Sequence, residues 1–298
     1  MMPDRSTTPV AEPAQARWPR LQATPHPALR PLLAREHLGI AAPAAPRHLV
    51  VPASTAVNVV IKLTDSPHRT PTFVMGPHAE HIVVDGACAP SYVEVSLEPL
   101  GAYTVLDLPM DQLGHGAVDL ADLVGPAGPE LSARLREATD WPGRWALVDE
   151  FLLRRCERGP RARAEVRYAY QRLVATAGSI PIGTLAREVG WSHKHLIHRF
   201  TQLVGVRPKT AARLVRLDAV RRRLDRLGAP RWEQIAADSG YADQAHFVRE
   251  FHALTGTPPS DYATRIARYR GGSGGVAAGE GGIGCEAPRP RRTRPPAR

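Results

Sequence analysis

Residues 240–251 read GYADQAHFVREF, and residues 190–200 read GWSHKHLIHRF. In each stretch the large apolar side chains are spaced at i, i+4 and i+7, which places them on one face of an α-helix. The first face consists of Leu196, Phe200 and Leu203, and the second of Phe247, Phe251 and Leu254. The two sets are 51 residues apart, so the chain repeats one structural unit.

The residues around both helices repeat as well. Ser192 and Asp243 precede the helices, and their side-chain oxygens can accept hydrogen bonds from the free N–H groups of a first helical turn. Gly205 and Gly256 follow the helices, at the position where a left-handed residue most easily ends a helix. Matching short apolar segments lie ahead of the two turns, Leu185-Ala186 and Ile235-Ala236. The pattern predicts two helix-turn-helix units.

A single long helix is predicted between the two units. Residues 209–227 contain neither Gly nor Pro, the two residues that most often interrupt a helix. A helix of this length is a rigid spacer, so it should hold the two repeated helices at a fixed separation.

The motifs L-A-x-x-x-G-x-S-x-x-x-L-x-x-x-F and I-A-x-x-x-G-Y-x-D-Q-x-x-F-x-R-x-F, each closed by G-x-x-P, form a recognisable pair. The pair resembles the DNA-binding domain of AraC/XylS-type transcriptional regulators, over about residues 165–268. The resemblance implies an all-α domain that binds double-stranded DNA and regulates transcription, more commonly as an activator. One departure is His198-Arg199, where such proteins most often have Arg and then an apolar residue, so base preference in the first half-site does not carry over.

The resemblance also indicates which residues contact DNA. On the first helix Lys194 and His198 align with the positions that reach base edges, with His193 near the helix start. Lys and His can bond the O6/N7 edge of guanine. Ile197 fits either contact with a thymine methyl group or partial burial against the neighbouring helix.

On the second helix, Arg249 is the expected DNA contact, and Gln244 has the amide that can read adenine. His246 is expected to support packing. The two helices should enter successive major grooves, about one turn (~34 Å) apart.

Charge is distributed unevenly along the 298 residues, whose formal net charge is +10. Residues 1–160 hold 14 Lys and Arg against 18 Asp and Glu, whereas residues 161–298 hold 25 against 11. A composition bias toward Arg throughout the chain would have produced an excess of basic residues in both halves. The basic half coincides with the repeated helices, which favours a polyanionic partner for that half.

The remaining composition argues against several classes of protein. Three widely separated cysteines, Cys88, Cys156 and Cys285, form neither a disulfide framework nor a zinc motif. The first 16 residues lack the apolar core of a signal peptide, and no run approaches 18 apolar residues. The expectation is a cytoplasmic protein without a cofactor, a metal or a membrane partner.

Ahead of the basic half, short runs rich in β-branched residues lie between turn residues over about residues 48–108. They predict an antiparallel sheet or small barrel, followed by helices at 131–138 and 144–156. The predicted organisation is a disordered stretch at 1–25, an α+β sensor or dimerisation domain at 26–158, the DNA-binding domain at 161–270 and a disordered Gly-rich, basic tail at 271–298. Residues 157–160 read as the linker.

By resemblance, the first domain would sense a small ligand or form a homodimer, often through a cupin-like β-barrel, and RNA polymerase would be a further partner. No effector motif is found. A cupin metal set of His78, Glu80, His81 and Glu94 lacks the usual arrangement, so surface or polar-network roles are favoured. Trp141 and Trp145 are expected to pack rather than to stack on a ligand.

Two other classes of function remain open. An alkyl-transfer repair enzyme fused to this DNA-binding domain would need a reactive Cys, and neither Cys88 nor Cys156 has an activating motif. A non-specific architectural DNA binder would use the basic half and tail alone. Two capped helices with different sequences argue against this class, because pure phosphate binding does not require them.

Overall fold

The computed structural model describes residues 20–41, 49–65, 72–84, 91–114, 116–224 and 231–270. The N-terminal part is rich in β-structure and the C-terminal part is helical. Among the helices in these ranges, none combines the length and apolar content that a membrane crossing needs.

Eight strands lie in the described N-terminal part: β1 Arg20–Ala23, β2 His37–Ala41, β3 Leu49–Val51, β4 Val57–Lys62, β5 Thr72–Met75, β6 Ile82–Val84, β7 Ser91–Leu97 and β8 Ala117–Asp119. Six of them form one sheet in the order β1-β2-β7-β4-β5-β8, and β3 pairs with β6. Every pairing is antiparallel. Within the described residues both sheets are open, so the predicted antiparallel sheet is present and the cupin-like barrel is not confirmed.

One strand lies where disorder is predicted. β1 falls within residues 1–25, and it pairs with β2 from Arg20↔Ile40 to Ala23↔His37. The Pro- and Ala-rich composition around β1 gives no sign of this pairing, because the partner strand supplies the hydrogen bonds. Residues 1–19 of the predicted disordered stretch, like the tail at 271–298, lie outside the described residues.

Alternating side chains divide the main sheet into two faces. Val57, Val59 and Ile61 on β4 lie on one face with Val93, Val95 and Leu97 on β7, in the largest apolar cluster. Four helices contribute to that cluster: α1 Pro99–Leu106, α2 Leu120–Val124, α3 Ala127–Glu137 and α4 Trp141–Arg158. The opposite face carries a smaller cluster of Leu38, Ile40, Val60, Phe73, Met75 and Tyr92.

Residues 48–108 are predicted to form β-structure, but the end of this range is helical, because α1 occupies Pro99–Leu106. Pro99 occupies the first turn, where its missing N–H has no cost, and the helix ends at Asp107 with φ 54°. The predicted helices 131–138 and 144–156 correspond to α3 and α4, with both starting earlier. Trp141 and Trp145 of α4 pack against each other, with 5.1 Å between ring centroids.

The predicted linker is held against the N-terminal part. Helix α4 extends to Arg158, and Thr104 of α1 donates a hydrogen bond from its hydroxyl to the carbonyl of Pro160 at 2.8 Å. A side chain at Gly159 would meet the Thr104 carbonyl oxygen at 1.9 Å. The close approach of the two backbones therefore requires glycine at residue 159.

Seven helices follow in the described residues: α5 Ala164–Ala175, α6 Ile182–Glu188, α7 His193–Val204, α8 Pro208–Leu224, α9 Trp232–Asp238, α10 Gln244–Thr255 and α11 Pro259–Arg270. The pairs α6/α7 and α9/α10 are the two helix-turn-helix units. Helix α8 is the predicted spacer. Its Ala211 and Ala212 belong to the apolar cluster of the first unit, and Leu214, Leu217, Val220 and Leu224 belong to that of the second. Both units are therefore built on one shared helix.

Candidate nucleic-acid interface

Helices α7 and α10 begin with the same side-chain cap. The Ser192 hydroxyl oxygen accepts a hydrogen bond from the backbone N–H of His195 at 3.2 Å. The Asp243 carboxylate accepts one from the backbone N–H of His246 at 2.6 Å. Each helix ends at a left-handed glycine, Gly205 with φ 84° and Gly256 with φ 71°. Caps at both ends define where each helix can present side chains.

The face of α7 opposite its buried stripe is polar. Leu196 and Phe200 are fully buried. His193, Lys194 and His198 are exposed, and Ile197 is partly buried. The four residues predicted to contact DNA therefore lie on the side of the helix that faces away from the core.

Helix α10 presents an equivalent face. Gln244 and Arg249 are exposed beside Ala245, and Val248 between them is 36% exposed. Phe247 and Phe251 on the other side are fully buried. An amide and a guanidinium that flank a small apolar strip can bond to base edges or phosphates and can touch a thymine methyl group.

An aromatic residue in each turn orients a histidine of the helix that follows. Trp191 and His195 pack edge to face with 4.6 Å between ring centroids, and Tyr241 and His246 do the same at 5.5 Å. His246 also lies 3.7 Å from the Glu250 carboxylate on its own helix. The contacts support the packing role predicted for His246, and they give His195 a similar position.

The turn of the second unit is one residue longer than that of the first. Helices α6 and α9 start 50 residues apart, whereas α7 and α10 start 51 residues apart. The additional residue lies between the left-handed Gly240 and the cap Asp243. The two units are therefore similar, but the turn that leads into the second helix differs in length between them.

Arginines of α8 connect the spacer to the second unit. Arg213 forms an ion pair with Glu250 of α10 at 3.3 Å. Arg216 lies over the Tyr241 ring and also donates to the carbonyl of Gly178, which lies in the loop between α5 and α6. No local sequence signal marks Arg213 or Arg216 for these contacts, because an Arg on a helix usually faces solvent.

The histidines of the suggested cupin metal set have other partners. The two ring nitrogens of His78 lie 2.9 Å from the Pro52 carbonyl and 3.3 Å from the Gly76 carbonyl. Burial lowers the pKa of His78, and the backbone hydrogen bonds partly oppose that shift. His81 bonds to a carbonyl of α10 at 2.9 Å. Among the residues that the structure describes, no group of three His, Cys, Asp or Glu is placed to hold a metal ion.

A cavity of about 240 Å³ lies between the N-terminal part and helices α5 and α8. Its lining includes the polar side chains of Thr55, Glu98, Tyr170, Asp218 and Arg222. The Tyr170 hydroxyl donates to the Glu98 carboxylate at 2.8 Å. Burial raises the pKa of both groups.

A comparison with known protein families finds a match in the helical C-terminal part of the chain. The family model described as "Helix-turn-helix domain" matches residues 185–265, from α6 into α11. No curated protein sequence matches the chain.

Several solved structures are similar to parts of this chain. A transcriptional regulator from Chromobacterium violaceum with an AraC-type DNA-binding domain is 21% identical over 35% of this chain and 93% of that one, with a TM-score of 0.33. The DNA-binding domain of the global transcriptional factor AdpA, solved with a target DNA, is 17% identical over 37% of this chain and all (100%) of that one, with a TM-score of 0.35. ToxT from Vibrio cholerae is 13% identical over 74% of this chain and 88% of that one, with a TM-score of 0.36.

The family match, residues 185–265, spans both repeated, capped helices and the spacer between them. The C-terminal part of this chain is an AraC-type helix-turn-helix DNA-binding domain.

Proposed function

We propose that the protein is a sequence-specific transcriptional regulator whose helices α7 and α10 enter successive major grooves on one side of a DNA duplex. The observation that carries the proposal is the equivalence of two exposed faces on units that share α8. Lys194 and His198 lie on one face, and Gln244 and Arg249 lie on the other. A rigid common helix lets one chain read two blocks of sequence without a palindromic site.

The exposed side chains suggest different tasks for the two helices. Lys194 and His198 can discriminate bases in the first block, since both can bond the major-groove edge of guanine. Arg249 can hold a phosphate or a guanine, so it contributes affinity as well as position. Ile197 is partly buried, which leaves its outer methyl groups for a thymine contact.

Selection of bound duplexes from a random library tests the proposal. The full chain should be used at near-physiological salt, because the N-terminal part contributes Ala53 to the apolar cluster of the second unit. We expect an enriched motif in two blocks about one helical turn apart. An architectural binder would instead show a specific-to-random affinity ratio near one.

Substitutions assign the blocks to the helices. The double change Lys194→Ala and His198→Ala should weaken base discrimination in the first block by about 1–3 kcal/mol per lost pairing. His195→Ala is the matched control, since His195 is on the same helix but packs against Trp191. Unchanged discrimination in the double variant, or equal loss in the control, would contradict the assignment.

An enzymatic role receives no support from the cysteine that the structure describes. Cys156 of α4 is partly buried, and burial raises the pKa of its thiol while Arg161 opposes that shift. A nucleophilic cysteine needs the opposite shift, because the thiolate is the reactive form. Cys88 and Cys285 lie outside the described residues.

Activation is the proposed mode of regulation, because it is the commoner mode of the family that the chain resembles. Transcription in vitro with RNA polymerase, from a promoter carrying the selected site, should rise when the protein is added. A fall would assign repression instead.

Control by a small ligand and homodimer formation complete the proposal. The cavity beside Glu98 and Tyr170 supports ligand control, since a molecule there would touch both the N-terminal part and α8. Its carboxylates and arginines favour a polar ligand with groups of both signs. A polar compound that raises the melting temperature of the full chain should lose that effect in the variant Tyr170→Phe. Sedimentation of the full chain with and without DNA measures the oligomeric state.

A further inference from the structure

The C-terminal end of α10 receives hydrogen bonds from the N-terminal part of the chain. The carbonyl of Leu254 accepts from the backbone N–H of Ala53 at 2.7 Å. The carbonyl of Ala253 accepts from Nδ1 of His81 at 2.9 Å, so that nitrogen carries a proton. The last four carbonyls of an α-helix have no partner within the helix, and two of them are satisfied here from outside.

Apolar packing accompanies the hydrogen bonds. Ala53 is 1% exposed and belongs to the same cluster as Phe251 and Leu254. The backbone turn at Gly256 also comes close, because a side chain there would meet a Val50 methyl group at 2.7 Å and the His81 ring at 2.9 Å. The end of α10 is thus in direct contact with residues 50–54 and 78–81, which we call the capping segments.

The two capping segments are fastened to each other. Ser54 and His78 exchange backbone hydrogen bonds, both 3.0 Å long. The His78 ring adds a bond to the Pro52 carbonyl at 2.9 Å. Ala53 and His81 therefore belong to one local structure and should dock on α10 or leave it together.

Docking leaves the proposed DNA-reading face open. Gln244 and Arg249 remain exposed while Ala53 and His81 occupy the far end of the same helix. The N-terminal part contacts the first unit in a different way. A side chain at Gly205, at the end of α7, would approach a Pro77 ring carbon at 3.0 Å and the Met110 carbonyl at 3.2 Å. That contact is one of packing.

We infer that the capping segments are the C-terminal cap of the second reading helix, and that contact of α10 with the second DNA block depends on their being docked. His81 is a positioning residue in this arrangement, since it acts on DNA only through α10. The inference rests on the proposed function for its DNA consequence, but the cap itself does not.

Hydrogen exchange of the full chain without DNA tests the cap. His81→Ala should raise the exchange rates of amides in residues 251–256 about fivefold, which corresponds to one lost hydrogen bond. The equivalent residues 200–205 of α7 should not change. His81→Asn keeps an N–H donor near the place of Nδ1 and should restore protection. Glu80→Ala, an exposed neighbour, is the control.

Binding to the selected two-block site tests the DNA consequence. Scrambling the second block should weaken wild-type binding. His81→Ala should lower this sensitivity to the second block, by at most the about fivefold that one lost hydrogen bond allows, and His81→Asn should restore it. Sensitivity to the first block should be the same in all three proteins.

The outcomes separate the inference from the proposed function. Equal exchange in His81→Ala and wild type, or failure of Asn to rescue, would overturn the cap. A changed exchange rate with unchanged second-block sensitivity would overturn the dependence of DNA reading on docking. If wild type discriminates neither block while exchange responds as expected, the cap stands and the proposed function fails.

Discussion

Arg216 lies over the ring of Tyr241, with 5.2 Å between the guanidinium carbon and the ring centroid. Its Nη2 also donates to the carbonyl of Gly178 at 3.2 Å. Tyr241 belongs to the turn of the second unit, and Gly178 belongs to the loop that joins α5 to α6, the first helix of the first unit. One side chain of the shared helix α8 therefore contacts the second unit and the loop that leads into the first, next to the place where the Gly178 and Ala212 backbones meet.

Arg216→Ala should loosen the arrangement of the two units. A lost carbonyl hydrogen bond and a lost cation–π contact together amount to about 1–2 kcal/mol. We expect the variant to tolerate DNA sites whose two blocks are moved apart or together by one base pair better than wild type does. Competition binding with sites of altered spacing measures the change.

Arg223→Ala is the matched control for that experiment. Arg223 is also an arginine of α8, but its ion pair with Asp238 at 2.6 Å joins α8 to α9 within the second unit. The variant Arg223→Ala should therefore keep the wild-type preference for the spacing between the two DNA blocks. The same relaxation in both variants would show that stability of the second unit, rather than Arg216, sets the spacing.

The pKa of His78 predicts how stability changes with pH. Burial holds this pKa below its ordinary value of 6.5, so between the folded-state pKa and pH 6.5 the unfolded chain binds a proton that the folded chain does not. The contribution of His78 to the free energy of unfolding is thus at its maximum above pH 6.5. It decreases as the pH falls, until the pH is below the folded-state pKa. The slope cannot exceed about 1.4 kcal/mol per pH unit for one group.

Urea unfolding of the full chain at several pH values between 5 and 8 measures that slope. His78→Gln should be less stable near neutral pH but should lose stability more slowly on acidification. An identical slope in wild type and His78→Gln would assign the pH dependence to other groups.

Phe247→Ala should destabilise the second unit strongly. The Phe247 side chain is fully buried and packs against Trp232, Tyr241 and Phe251. Truncation of a buried Phe costs about 3–5 kcal/mol, so thermal unfolding should begin at a markedly lower temperature. Val248→Ala, at an exposed neighbour, should shift the transition little; a comparable shift would place Val248 in the core.

Removal of either helix cap should have a smaller effect. Ser192→Ala and Asp243→Ala each remove an acceptor from a first-turn N–H and should cost about 1 kcal/mol in the free energy of unfolding. Ser192→Thr and Asp243→Asn keep an acceptor oxygen and should recover most of that loss. Chemical denaturation measures all four, and an Asn variant as unstable as the Ala variant would argue that charge rather than capping matters at Asp243.

The helical part was largely predictable because its signals are local. Apolar residues four positions apart, such as Leu196 and Phe200, identify a helix face without reference to any distant residue. The same holds for caps, which join residues three positions apart. The prediction of the β-rich part was coarser: it found β3 to β7 but missed β1, β2 and β8, and it took the α1 region as part of the sheet.

By itself, the amino-acid sequence determined the two helix-turn-helix units, the faces that they expose and the basic character of the half that contains them. Tertiary structure alone decided which distant residues complete those units. His81 and Ala253 are 172 positions apart in the chain, and no periodicity or motif connects residues at such a distance. The polar groups at the end of α10 need partners, but which part of the chain supplies them depends on how the sheet and the helices pack.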